Sequence, residues 1–298
     1  MNYSFKARAK LFPLLGCSVP LIKAFSVLFI ISVSAQTAPQ TPAGAAPVVV
    51  QGAMAIETER LAARLENVST DRVGGWIFWR GTVDGYPVIV SKTLKGMSNA
   101  AAATVIAIER YRPLAIINQG TAGGHDPGLR LFDLVLGTTS VNLGAFRSPY
   151  RAAGAGSNPL EWMPLNLTRA DGSAANDPNA RHLASFAADP QLIEAARRAR
   201  ASYAKGRVVE GVIGSSDGWN DEIDLINRFR ARYGTLVEEM ETASSAQIAA
   251  LFNVPFLGIR IVSDNVTNGT PWDPKTGEAC EDFAYEVVRA YIAAAARR

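Results

Sequence analysis

Leu114-Ala115-Ile116-Ile117-Asn118-Gln119-Gly120-Thr121-Ala122-Gly123-Gly124 is the stretch on which the fold turns. Four consecutive apolar residues suit a strand buried on both faces, not one with a wet side. The run gives way to amides and glycines, the composition of a strand end where backbone must come close to something. Such a strand needs similar neighbours and helices over both faces.

The chain supplies them on either side. Upstream, Val48-Val49-Val50 is a short β-branched run ending at Gly52, and Glu57 to Leu65 follows with helical spacing. Trp76-Ile77-Phe78-Trp79 and Val88-Ile89-Val90 flank Asp84-Gly85, a hairpin signal. Ser98 is placed to cap an alanine-rich helix from Asn99 to Tyr111. Downstream, Leu131 to Val141, Val208 to Ile213 and Phe256 to Val262 read as strands, and another leads to Glu238. Helices are expected near 189–204, 221–232, 242–252 and 279–296. Strands alternating with helices predict an α/β domain around a largely buried sheet. Residues 143–188 break the rhythm with Gly, Pro, Asn and Ser and no sustained periodicity, which points to a lid or an interface.

Of the 298 residues 48% are hydrophobic and 19% charged, enough apolar material for a packed core. A net charge of +3 invites an anionic partner, but its source is local. Lys6, Arg8, Lys10 and Lys23 precede the apolar run from Ala24 to Val33, and no acid occurs in residues 1–35. This is the pattern of a signal peptide, 1–35, cleaved near Ala35, and it predicts a periplasmic or secreted protein. An uncleaved anchor and lipid attachment at Cys17 are the competing readings. Removing the segment takes 4 of 30 basic residues and none of 27 acidic ones, leaving 26 against 27. The near-neutral remainder argues against nucleic acid as partner, and no membrane contact is expected after cleavage. Residues 36–47, with three prolines and no large apolar side chain, read as a disordered spacer before a catalytic domain over 48–298. Cys280 is then the single cysteine, which excludes an intrachain disulfide. With two histidines in the chain, His125 and His182, no metal site and no cofactor are expected.

In α/β sheets chemistry gathers at the carboxyl ends of strands. The residues there are Gly52-Ala53-Met54 with Glu57, the run from Asn118 to Gly124, Gly214 to Trp219, Glu238-Glu239-Met240-Glu241, and Ser263-Asp264. No histidine or lysine stands out at these ends. Glu238, His125 and His182 read as solvent-facing or structural, and Trp76 and Trp79 as core or interface.

In this order, together with Gly211-x-Ile213-x-Ser215-x-Asp217, Asn253-Val254-Pro255-Phe256 and Arg260-x-x-Ser263-Asp264, the motifs resemble those of the methylthioadenosine/S-adenosylhomocysteine nucleosidases. These belong to the purine nucleoside phosphorylase and uridine phosphorylase superfamily. The resemblance spans nearly all of 48–295 except 143–188. It implies a single domain with a central mixed β-sheet flanked by helices, a homodimer, and a small-molecule nucleoside as substrate.

The resemblance also assigns roles. Cleaving a purine N-glycosidic bond calls for an acid on the leaving base and a base on the attacking water. Asp264 matches the acid and Glu57 the general base. Glu241 matches the group that binds ribose hydroxyls, with Met240 packed on the sugar, and Thr121 stands where a serine is usual. Trp219 replaces a phenylalanine that stacks on the purine. Ala122, Gly123, Asn220, Glu239 and Ser263 complete the substrate-binding set. An aromatic of the 5′-group pocket is expected near Cys280 or Phe283. A phosphorylase would hold phosphate with arginines where Ile56 and Asn118 stand, which favours water as nucleophile. A phosphorylase and a non-catalytic nucleoside-binding or storage protein are the alternatives, and the pair Glu57 and Asp264 argues against the second.

Overall fold

Strand β1 (Val48–Gly52) is buried along its whole length. Val48 and Val50 join one apolar cluster and Val49 another, so the strand's period of two feeds a core on each face of the sheet. The computed structural model describes residues 44–165, 167–169, 181–183 and 185–296. The expected signal peptide and most of the spacer lie outside these residues.

After β1 come a 3-10 turn (Ala55–Glu57), α1 (Glu59–Ala62) and a meander of β2 (Glu66–Val73), β3 (Trp76–Val83) and β4 (Tyr86–Lys92). Helix α2 (Met97–Tyr111), β5 (Ala115–Gly124) and β6 (Leu134–Asn142) follow. The segment expected to be irregular carries β7 (Phe146–Arg147), β8 (Met163–Pro164), β9 (Leu167–Arg169), β10 (Arg181–Leu183) and β11 (Phe186–Ala187). The remainder is α3 (Pro190–Ala199), β12 (Val208–Ser215), α4 (Ile223–Tyr233), β13 (Thr235–Glu239), α5 (Thr242–Leu251), β14 (Phe256–Asp264) and α6 (Lys275–Ala295).

Strand β1 lies parallel to both β4 and β5, and β2, β3 and β4 run antiparallel beyond it. Beyond β5 the strands close on themselves. β5 pairs with β14, β14 with β6, β6 with β12, β12 with β13, and β13 again with β5. Three of these pairs are parallel, and two, β14 with β6 and β13 with β5, are antiparallel, so the sheet is mixed. Ala122, Val135, Ile213, Val237 and Val262 pack together from its five strands.

The larger cluster joins Val48, Val50, Val88, Val90, Ala115 and Ile117 to Phe283, Val287, Val288 and Ile292 of α6. The opposite cluster joins Val49, Ile89 and Ile116 to Ala107 and Ile108 of α2 and Ala246 and Ala249 of α5.

The structure departs from the sequence reading in four places. The hairpin turns at Asp84-Gly85 as expected, with φ of 49° and 76°, but β2 extends it. That strand is exposed at most positions, so it lacks the alternation that marks a half-buried strand. Helix α2 begins at Met97, and Ser98 lies inside it; its N-cap is Gly96 with no side-chain cap. The Gly96 N–H instead donates to Glu241 Oε1 at 2.8 Å and the Met97 N–H to Asp217 Oδ1 at 2.7 Å. Strand β5 does not stop at Asn118 but runs through the glycines to Gly124. Within 143–188, β7 pairs with β8, β9 with β10, and β11 adds to the main sheet beside β6. Strands of two or three residues are too short to show a period.

Phe283 is 2% exposed at the centre of the larger cluster. Phe283→Ala is expected to cost about 3–5 kcal/mol, seen as a lower urea midpoint at unchanged m-value.

Candidate active site

The ends of β5, β13 and β14 and the turns after β1 and β12 enclose a cavity of about 320 Å³. Glu57, Thr121, Ala122, Gly123, Trp219 and Asn220 line it, together with Glu239, Met240, Glu241, Ser263 and Asp264. The structure therefore brings every residue of the expected set to one place.

Glu57 is 3% exposed and its carboxylate is held from two strands. The N–H groups of Ala53 and Met54, in the turn after β1, donate to Oε2 at 3.0 and 3.1 Å. Thr121 of β5 donates to Oε1 through its N–H and its hydroxyl, both at 2.8 Å. Glycine makes this approach possible: a Cβ on Gly120 would stand 2.7 Å from Glu57 Oε1, and one on Gly52 would stand 2.6 Å from the Glu57 carbonyl oxygen.

Glu239 lines the cavity, but its carboxylate faces inward. Arg260, 1% exposed, donates from Nε at 2.9 Å and also from Nη2. The N–H groups of Glu241 and Thr242 donate to Glu239 Oε2 at 3.0 Å, placing a carboxylate at the N-terminus of α5. Ser215 of β12 donates to the other oxygen, and Arg260 reaches Asn118 of β5 as well. Glu241 lies beside this knot, 4.0 Å from Arg260 Nη2. Burial, and then the Glu239 charge, hold the Glu241 carboxyl above the usual carboxylate range.

Asp264 accepts from Ser263 Oγ at 2.8 Å, and burial raises its pKa against that hydrogen bond. Gly123 leaves it room, since a Cβ there would lie 3.3 Å from Asp264 Oδ2. Trp219 is 70% exposed at the cavity's mouth, and its indole N–H donates to Asp221 at 3.2 Å. It is not a core residue.

Three sequence readings are corrected here. Glu238 is not solvent-facing: it is 9% exposed and lines the cavity. Register explains this, because Glu238 pairs with Gly123, whose missing side chain opens a hollow beside it. Lys95 and His125 also line the cavity, although neither lies in a strand. Lys95 comes from the loop after β4, and His125 directly follows β5. Cys280 and Phe283 are both on the buried face of α6, in the core, and the aromatic that reaches the cavity from this part of the chain is Trp272. It sits in a loop whose length no periodicity could fix.

Asn118 is 1% exposed and lies in the network of Gln51, Ser245 and Arg260. Among the described residues Lys95 is the one lysine or arginine lining the cavity. Arg60 and Arg151 are paired with Asp282 and Glu161 at 2.8 and 2.6 Å.

Breaking a buried ion pair leaves a charge without compensation. Arg260→Met is expected to cost about 3–5 kcal/mol in thermal unfolding, and Arg260→Met with Glu239→Leu to recover most of that loss.

The family profile described as the phosphorylase superfamily matches residues 47–296. The 5′-methylthioadenosine/S-adenosylhomocysteine nucleosidase of Anoxybacillus flavithermus is 32% identical over 222 residues, 73% of this chain and 84% of its own. The nucleosidase of the same name from Shewanella oneidensis is 31% identical over 226 residues, 74% of this chain and 85% of its own. Among solved structures, the nucleosidase of Neisseria meningitidis in complex with methylthio-immucillin-A superposes with a TM-score of 0.65 at 27% identity. That match covers 82% of this chain and 99% of the other. By these matches the chain belongs to the methylthioadenosine/S-adenosylhomocysteine nucleosidases, N-glycosyl hydrolases of the phosphorylase superfamily.

Proposed function

We propose that the chain is an exported purine nucleosidase that hydrolyses the N-glycosidic bond of adenine nucleosides such as methylthioadenosine, S-adenosylhomocysteine or adenosine. One observation carries the reading: Glu57 and Asp264 border the same cavity. Glu57 is bonded to Thr121 and Asp264 adjoins Gly123. These anchors stand two positions apart on one strand, about 6–7 Å, the scale of a ribosyl C1′ with water on one side and a purine on the other.

Glu57 orients a water molecule and takes its proton as the water attacks C1′. Asp264 donates a proton to the imidazole-side nitrogen of the purine, so the base leaves neutral. Burial, which keeps that proton on Asp264 at higher pH than usual, supports the role. The positive charge building on the sugar between the two steps sits beside the Glu57 carboxylate, which favours it. Glu241 accepts the ribose hydroxyls, Met240 packs on the sugar, and Trp219 covers the base. A cavity with a single lining lysine and several carboxylates suits water better than a phosphate dianion.

The export signal in residues 1–35, the spacer at 36–47 and the near-neutral remainder support a periplasmic or secreted location for the domain over 48–298. The family resemblance supports a homodimer.

Base release from methylthioadenosine, S-adenosylhomocysteine, adenosine and inosine, with and without phosphate, tests the proposal; release is expected in phosphate-free buffer, and strict phosphate dependence would mark a phosphorylase instead. Glu57→Gln and Asp264→Asn are each expected to lower kcat by about 100- to 10,000-fold. Because the acid works protonated, kcat should fall as pH rises and Asp264 loses its proton, with the fall beginning above the ordinary aspartate value of 3.8. An alkaline limb unchanged in Asp264→Asn would assign the acid elsewhere.

A further inference from the structure

Glu238 lies on the cavity wall outside the chemistry proposed above, yet its carboxylate is fixed in place. Ser216 Oγ donates to Oε1 at 2.7 Å, Asn220 Nδ2 donates to Oε2 at 3.2 Å, and His125 Nε2 stands 2.9 Å from Oε2. His125 is 2% exposed, its Nδ1 lies 2.8 Å from Thr235 Oγ1, and its ring stacks on Phe229. Asn220 Oδ1 is occupied by the Glu222 N–H at 3.0 Å, which fixes the amide with its nitrogen toward Glu238. The result is a pre-organised acceptor with a donor beside it, since Asn220 keeps a second amide hydrogen.

Its position relative to Asp264 is set by the sheet. Glu238 of β13 and Asp264 of β14 both pair with Gly123 of β5, from opposite sides. Their backbones are thus two strand spacings apart, about 10 Å, with a residue that has no side chain between them. A flat bicyclic base lying over Gly123, its imidazole side at Asp264, turns its six-membered ring toward Glu238. Apolar walls satisfy the faces of a purine, but its edge carries hydrogen-bonding groups that a buried site must match.

We propose that Glu238 reads the base: its carboxylate accepts an N–H from the six-membered-ring edge of the purine. The inference rests on the cavity being a nucleoside site but not on its catalysis. A carboxylate only accepts, so a base with a donor at that edge is selected. The donor is either the exocyclic amine of a 6-aminopurine or the ring N–H of a 6-oxopurine. Asn220 donates to the acceptor that adjoins it in both bases.

Calorimetric titration of the protein with adenine, hypoxanthine and unsubstituted purine, which has no donor at that edge, tests the assignment without requiring turnover. The wild type is expected to bind adenine or hypoxanthine about tenfold or more tightly than purine, the scale of a hydrogen bond to a charged group. Preference for adenine assigns the amine and preference for hypoxanthine the ring N–H. In Glu238→Leu the advantage over purine should shrink to within about threefold. Glu238→Gln keeps the packing and an oxygen but loses the charge, and it should show an intermediate advantage; it decides the matter if the leucine variant does not fold. Equal binding of all three bases by the wild type, or an advantage that both variants retain in full, overturns the role of Glu238. Failure to bind any base overturns it together with the nucleoside reading, whereas base binding without base release overturns the catalytic proposal alone.

Discussion

The buried pair of Arg260 and Glu239 is the interaction on which the rest of the site depends. Arg260 projects from β14, Glu239 ends β13, and around them gather Asn118 of β5, Ser215 of β12 and the first N–H groups of α5. Four strands and a helix terminus thus share one knot of charge-assisted hydrogen bonds. A guanidinium and a carboxylate cannot be taken from water unless nearly every donor and acceptor is met, and here they are. That demand fixes where β13 ends and how α5 begins, and so where Met240 and Glu241 point.

A second constraint is clearance. Glu57 and Asp264 approach β5 at Gly120 and Gly123: a Cβ on Gly120 would occupy the space of the Glu57 carboxyl group, and one on Gly123 would crowd that of Asp264. Site and fold are therefore joined through absent atoms as much as through contacts, and a Cβ on Gly120 would disturb Glu57 before it disturbed the core.

Much of this was legible in the sequence because it depends on local chemistry. The apolar runs at Val48–Val50 and Leu114–Ile117 are uninterrupted because both faces are covered, and the polar and glycine residues after them mark the strand ends. The expected site residues share one cavity because each occupies such an end. Residues whose surroundings come from distant parts of the chain were not legible. Glu238, read as solvated, is enclosed by Ser216, Asn220 and His125, and the cap of α2 comes from Asp217 and Glu241, more than a hundred residues away. Strand β2 hid because an exposed edge strand needs no apolar alternation.

The sequence by itself determined the α/β class, the two-sided burial of the central strands and the set of residues gathered at their ends, because these follow from hydrophobic period and turn chemistry within a few residues. Only the tertiary structure decided which carboxylates are turned to the cavity and which are consumed in holding the fold. Glu238, Glu239 and Glu241 are chemically alike and nearly adjacent in the chain. Their roles divide because the partner each meets, His125, Arg260 or the backbone of Gly96, arrives from a different part of the fold.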